Sequence, residues 1–282
     1  MTPDAYTAGV EAWRADRDAR LRRPDGWLTL VGLHWLNPGD NHIGADPSSE
    51  VVLQGDDVPA RVGTLQLLGD QVRFVPARGA DVRSAGEPAG EMPMADDVSG
   101  DPTILEVGSL RFHVIRRGEG IALRVRDTAS PALGRFGGLD HFPIDPSWRV
   151  IGRLERPEDD ATVEIVDITG RVSQEPSPGH VAFERDGGMW RLAALPGDDD
   201  GSLWLIFGDA TNGGETYGGG RYLYSEPVAA DGSVVVDFNL AYNPPCVFSS
   251  YATCPLPPPQ NRLALRIEAG EKDWHGAALE AH

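Results

Sequence analysis

The chain has 282 residues, enough for one large domain or two modest ones with a sizeable core. With 34 glycines and 23 prolines against 40% hydrophobic residues it reads as loop-rich but globular, which excludes helical bundles and coiled coils. A formal net charge of −18 repels phosphate backbones and anionic headgroups, so neither nucleic acid nor a membrane surface is expected as a partner.

The first 20 residues predict one amphipathic helix, with Thr2 as N-cap, Pro3 at the first helical position and Tyr6, Val10 and Trp13 on one face. From Trp27 onward short β-branched or aromatic runs alternate with turn residues, which predicts strands at 51–53, 64–68, 72–75, 110–115 and 121–125. The stretch from Ala77 to Asp101 is poor in apolar residues and reads as an exposed connection with at most one short strand. A second series is predicted at 150–154, 162–168, 180–185, 189–194, 203–207, 221–224 and 234–238, with the acidic turn Pro196–Gly201 as a solvated hairpin tip. The fold class expected is all-β, two sandwich-like or barrel-like halves with one N-terminal helix. The boundaries expected are 1–22 for the helix, 23–130 for the first half and 131–282 for the second.

Several chemistries are absent from the sequence. All but one of the 25 basic residues are arginine, so a Walker A loop has no lysine, and a Schiff base would fall to Lys272 alone. Two cysteines, Cys246 and Cys254, are too few for a thiolate zinc cage or a disulfide-stapled scaffold. No histidine pattern signals a metal site, although His34 and His42 flank a turn near Asp40 and Asp46. No GxSxG elbow occurs. Neither cofactor nor metal is expected. With a polar N-terminus and no apolar run long enough to span a bilayer, a cytoplasmic location is expected.

The stretches Gly32–Leu36, Gly137–Leu139, Phe142–Arg149, Asp209–Gly213, Thr216–Tyr224, Asp237–Cys246 and Tyr251–Arg262 together resemble the bacterial family known as domain of unknown function 1684, DUF1684. The resemblance implies a soluble bacterial protein and names no reaction. A weaker one lies in Gly39–Pro47, Val51–Leu53 and Gly63–Leu65, which are similar to the opening of a forkhead-associated β-sandwich. That module grips phosphothreonine with an arginine directly after the glycine, where this chain has Ala45, and with a Ser and His in a loop that here reads Val58-Pro59-Ala60-Arg61. The scaffold is therefore implied without its phosphopeptide-binding groups.

The densest polar and aromatic stretch is Asp237–Arg262. Asp237, Asn239, Tyr242 and Asn243 lie in a turn stiffened by Pro244-Pro245, an arrangement suited to a preorganised site but equally to covering a sheet edge. The glycine-rich loop holding Asn212, Tyr217 and Arg221 is followed by a strand pattern rather than a helix, so it is no phosphate loop. It reads as a wide turn in which Arg221 is an anion clamp or the partner of a carboxylate such as Asp237. His141, beside Asp140, is a candidate general base or a solvated loop residue. The cysteines read as buried structural thiols, since nothing in the sequence places a basic partner beside them.

Two functions stay open. One is a small-molecule-binding protein or cofactor-free enzyme with its site in the C-terminal half. Asp237, Tyr242 and His141 are then the candidate catalytic groups, and Arg221, Asn239, Asn243, Asn212 and Tyr217 the candidate ligand-binding ones. The other is a non-catalytic interaction or structural protein, in which the same residues only stiffen loops. Oligomeric state is left open.

Overall fold

Pro3 begins the first helix, α1 (Pro3–Leu21), at a position whose missing N–H would have had no helical partner. The Thr2 hydroxyl accepts from the Ala5 amide at 3.3 Å and the Thr2 carbonyl from Tyr6 at 3.0 Å. Tyr6, Val10, Arg17 and Leu21 form its buried face, spaced four, seven and four apart. The computed structural model describes residues 2–55 and 57–276, and the chain divides into two units: Arg22–Arg135, and Met1–Leu21 together with Phe136–His282. Both are built of β-sheet. Among the described residues no helix is long and apolar enough to cross a membrane.

In the Arg22–Arg135 unit the strands are β1 (Leu30–Trp35), β2 (Gly39–Gly44), β3 (Val51–Val52), β4 (Gly63–Leu68), β5 (Gln71–Pro76), β6 (Arg83–Ser84), β7 (Glu87–Pro88), β8 (Met92–Met94), β9 (Leu105–Val107), β10 (Leu110–Arg117) and β11 (Gly120–Asp127). They form one sheet of order β1-β11-β10-β9-β6-β7 and another of order β3-β2-β4-β5-β8. Alternate residues turn inward from each, and Ile43, Leu65 and Phe74 of one sheet share a core with Leu105, Phe112, Leu123 and Val125 of the other. The stretch from Ala77 to Asp101 holds three short strands, β6, β7 and β8, where at most one was expected. Two or three residues each are too few to show a period; β8 exists by pairing with β5, β6 by pairing with β9, and β7 by pairing with β6. A short helix α2 (Pro131–Arg135) closes the unit.

The other unit contains β12 (Arg149–Glu155), β13 (Ala161–Val166), β14 (Val172–Ser177), β15 (Gly179–Arg185), β16 (Gly188–Pro196), β17 (Leu203–Phe207), β18 (Arg221–Tyr224) and β19 (Ser233–Asp237). Six of them make a sheet of order β18-β17-β16-β15-β12-β19, while β13 and β14 pair separately as a hairpin. One face carries Val150, Val181, Leu192, Leu205, Leu223 and Val236 and is covered by the extended segment 263–269, whose Leu263, Leu265, Ile267 and Ala269 alternate inward. The other face packs Ala193, Leu195, Ile206 and Tyr222 against Val163 and Ile165 of the hairpin. Strand β14 reads VSQEPS and has no apolar period, and its antiparallel register with β13 is what makes it a strand.

The turn before β18 depends on Gly220. Its φ is +91°, and a Cβ there would lie 2.6 Å from the Phe207 carbonyl oxygen and 2.4 Å from the Pro257 ring. Gly213, in the same loop, has φ +77° with open space around it. Gly213→Ala is therefore expected to cost about 1–2 kcal/mol, the ordinary left-handed penalty of an L-residue. Gly220→Ala should cost clearly more, a ranking that urea denaturation of the two variants measures.

Candidate functional site

The polar side chains of the α1-bearing unit fall into networks closed for the most part by protein partners, and one cluster in which several buried atoms are left over. At the end of β19 the Asp237 carboxylate accepts from the Tyr6 hydroxyl of α1 at 2.9 Å and from the Asn239 amide at 3.1 Å. The Asn239 side chain donates to the Tyr6 oxygen at 2.8 Å and to the Asp145 carbonyl at 2.9 Å, and its Oδ1 accepts from the Asp145 amide at 3.0 Å. Burial, reinforced by the bond to Asp237, pushes the Tyr6 phenol far up, so it stays a donor at neutral pH. Tyr6 also lines a groove of about 290 Å³ with Thr2, Pro3, Pro146 and Arg149.

Arg221 is fully buried, and its partner is Asp209 at 2.7 Å rather than Asp237. The same guanidinium donates to the carbonyls of Ile267 at 2.9 Å and of Ala269, fastening the covering segment to the sheet. Burial lowers its pKa against the pull of Asp209. Asn212 closes the glycine-rich turn, with Oδ1 accepting from the Asp209 amide at 2.6 Å and Nδ2 donating to Thr216 Oγ1 at 2.9 Å and the Tyr217 carbonyl at 2.8 Å. In the other unit His42 holds Glu50 at 2.9 Å and Asp46 caps Ser48.

The open cluster lies where α1 meets two chain segments that touch at an antiparallel bridge between His141 and Glu271. Glu271, fully buried, accepts from Arg17 Nε at 3.0 Å and from the Asn243 amide at 2.6 Å, while Arg17 also donates to the Asn243 carbonyl at 2.9 Å. Burial still outweighs Arg17 and raises the Glu271 pKa. One helical turn earlier, Arg14 donates to the Phe142 carbonyl at 3.0 Å. Tyr242 lies under the Arg17 guanidinium, 5.0 Å from its ring centre, and stacks on Tyr224 with an interplanar angle of 6°. Burial raises the Tyr242 phenol well above its ordinary value.

Around this pair three buried polar atoms of different residues have no hydrogen-bond partner: Arg14 Nε, His141 Nε2 and Asn243 Oδ1. Desolvation, with a smaller contribution from Arg14, pulls the His141 pKa down to about 4. At neutral pH its imidazole is therefore uncharged and a poor general base, because the group best suited to that work titrates near the working pH.

The structure thus brings Tyr242, Asn243 and His141 together around Glu271, sets Asp237 beside Asn239, and joins Asn212 to Arg221 through Asp209. Tyr217 belongs to the Asn212 turn through its carbonyl, and its side chain lies against Cys246. Sequence reasoning missed Tyr6, Arg14, Arg17, Asp209 and Glu271. A signal for Arg17 was there, since it continues the apolar stripe of Tyr6, Val10 and Trp13, and a cation on a buried face demands a buried anion.

Residues 134–272 match the family model described as "Protein of unknown function (DUF1684)". An uncharacterized protein from gene locus rrnAC0354 of Haloarcula marismortui, solved by solution NMR, is 34% identical over 49% of this chain and 78% of its own, with a TM-score of 0.41. A forkhead-associated (FHA) domain described for phosphothreonine-dependent interactions is 16% identical over 33% of this chain and 92% of its own, with a TM-score of 0.25. The FhaA FHA domain, solved with the intracellular domain of Rv3910, is 16% identical over 33% and 97%, with a TM-score of 0.24. No curated protein matches the chain.

With both ends of the Arg221–Asp209 pair buried, Arg221→Ala is expected to lower stability by about 3–5 kcal/mol, read as a shift of the urea midpoint. His141 is expected to titrate near 4 rather than at the ordinary 6.5 when its ring protons are followed by NMR. A group depressed in this way contributes stability in full above its unfolded pKa. The melting temperature should therefore fall as the pH drops from about 6.5 towards 4, less steeply in His141→Asn.

Proposed function

Through residues 134–272 the chain belongs to the DUF1684 family of proteins of unknown function, and we propose that its α1-bearing unit binds a small polar molecule at the Arg14–His141–Asn243 cluster. The observation that carries this reading is that Arg14 Nε, His141 Nε2 and Asn243 Oδ1, on segments that meet at the Arg17–Glu271 pair, are all buried without a partner, whereas Arg185 Nε, Trp204 Nε1 and Arg221 Nε are left over singly on separate strands. A buried polar atom without a partner costs about 1–3 kcal/mol, and several in one place call for an explanation beyond packing. Arg14 Nε–H offers a donor, Asn243 Oδ1 an acceptor, and His141 Nε2 is an acceptor when the proton sits on Nδ1. Such a set matches a molecule with adjacent hydroxyl, amide or carboxylate groups.

Binding is favoured over catalysis by the state of the titratable groups. Tyr242 keeps its proton at neutral pH and His141 is too weak a base there. Asp237 and Arg221, the groups that sequence reasoning would assign to chemistry and anion clamping, are engaged with Tyr6 and Asp209. Their part in the proposal is to hold α1 and the covering segment in place, so that Arg14 meets His141. His141 itself is only partly buried, which leaves a way in from solvent.

Native mass spectrometry of the purified chain, compared with its denatured mass, is the first test, followed by a melting screen against hydroxy acids, amides and sugars. A ligand at a hundredfold excess over its Kd stabilises by about 2.7 kcal/mol, a readily measured rise. His141→Ala and Arg14→Ala are expected to abolish that rise or the excess mass while still folding cooperatively. Variants that bind as the parent does would sink the reading.

A further inference from the structure

The two cysteines lie outside that cluster, and their surroundings differ from those of inert core thiols. Cys246 is the middle residue of a single 3₁₀ turn, Pro245–Val247, and is half-buried, where the sequence suggested a sequestered thiol. Cys254 is 3% exposed and precedes Pro255, which is held by a bridge to Asp167. The loop between them folds back so that the Cys246 amide donates to Cys254 Sγ at 3.0 Å. The two thiols are neighbours, and each shifts the proton affinity of the other.

The Cys254 thiol and the Tyr217 hydroxyl stand beside the Cys246 sulfur, while the Cys246 amide is spent on Cys254 Sγ and the Val247 amide on the Pro244 carbonyl at 3.0 Å. Tyr217 reaches it because Gly219 has no side chain: a Cβ there would lie 2.4 Å from the Tyr217 ring. Donors gathered on one sulfur stabilise its anion, and they hold the Cys246 pKa below the usual thiol value. The Cys254 thiol is driven the other way, first by its bond to Cys246 and then by burial. One sulfur is thus disposed to be a thiolate and partly open to solvent, and its neighbour is a protonated thiol within reach.

We propose that Cys246 and Cys254 form a peroxide-reactive dithiol, in which Cys246 attacks a hydroperoxide and Cys254 resolves the product. The Cys246 thiolate attacks one oxygen of the hydroperoxide. An S–O bond forms and the O–O bond breaks, with the electron pair leaving on the other oxygen, which takes a proton from water. Cys246 is then a sulfenic acid. The Cys254 sulfur attacks it, an S–S bond forms, the S–O bond breaks, and the departing hydroxide takes the Cys254 proton and leaves as water. Two thiols are oxidised to one disulfide, and the hydroperoxide is reduced to an alcohol and water. A small dithiol reductant reverses the change.

The test uses the reduced full-length chain with one equivalent of hydrogen peroxide, followed by mass spectrometry. The expected result is a loss of two hydrogens, disappearance of both alkylatable thiols, and recovery of both with dithiothreitol. Cys254→Ser should instead accumulate a sulfenic acid on Cys246 that dimedone traps. Tyr217→Phe should slow alkylation of Cys246 at pH 7 by about tenfold while approaching the parent rate at high pH, the behaviour of a thiolate that has lost a donor. A parent chain that keeps two alkylatable thiols after peroxide, or that forms its disulfide only between chains, would overturn the proposal, and this readout needs no variant to fold.

Discussion

A guanidinium near the start of the chain and a carboxylate 254 positions later meet at 3.0 Å, the carboxylate fully buried and the guanidinium nearly so, and much of the α1-bearing unit depends on that meeting. Taking both charges out of water costs several kcal/mol per ion, so the pair is tolerable only because its remaining valences are filled. Arg17 also donates to the Asn243 carbonyl, and Glu271 also accepts the Asn243 amide, which turns an ion pair into a three-residue clasp. The clasp sets where α1 lies against the segments 140–142 and 270–272. That in turn brings Arg14 to Phe142 and Tyr6 to Asp237.

The same unit shows why a polar inventory alone does not identify a site. Asp237, Asn239, Asn212 and Arg221 are the residues a chemist would choose, and they take up one another, the backbone, or Tyr6 and Asp209. A saturated network can specify a geometry but has little left to offer a ligand. His141 and Asn243 stand out for the same reasons, and each keeps a buried polar atom without a partner, as Arg221 does at Nε alone. Which of the two outcomes a residue meets is decided by partners distant in sequence.

Much of the architecture was legible because its elements carry a period. Leu203–Phe207 and Arg221–Tyr224 fall where β-branched and aromatic runs predict them, and the helix begins at its proline. What was not legible has a physical reason in each case. The strand Val172–Ser177 has no apolar alternation of its own and exists by pairing with β13. Phe238 continues the apolar run of β19, yet it leaves the strand because the Asp237 side chain caps the Asn239 amide and bends the backbone into a 3₁₀ turn. The polar partners were the least legible, because nothing local in Glu271 or Asp209 distinguishes a buried carboxylate from a solvated one. Only Arg17, a cation on an apolar stripe, announced that such a partner must exist.

The placement of α1 also bears on how the chain comes to be folded. Synthesis makes this helix well before Asp237, Asn243 and Glu271, which satisfy Tyr6 and Arg17 from more than 200 positions later. Until then the emerging chain carries an amphipathic helix whose apolar stripe and cation have no home, while the whole unit Arg22–Arg135, which has its own core, is completed between them. A unit that folds early replaces a long flexible loop by a structured one and so changes the entropy of bringing the two ends together. Contacts of such wide sequence separation form late and slowly. Docking of α1 is thus the step at which a nascent chain of this kind is most exposed to wrong association, and the last to be secured.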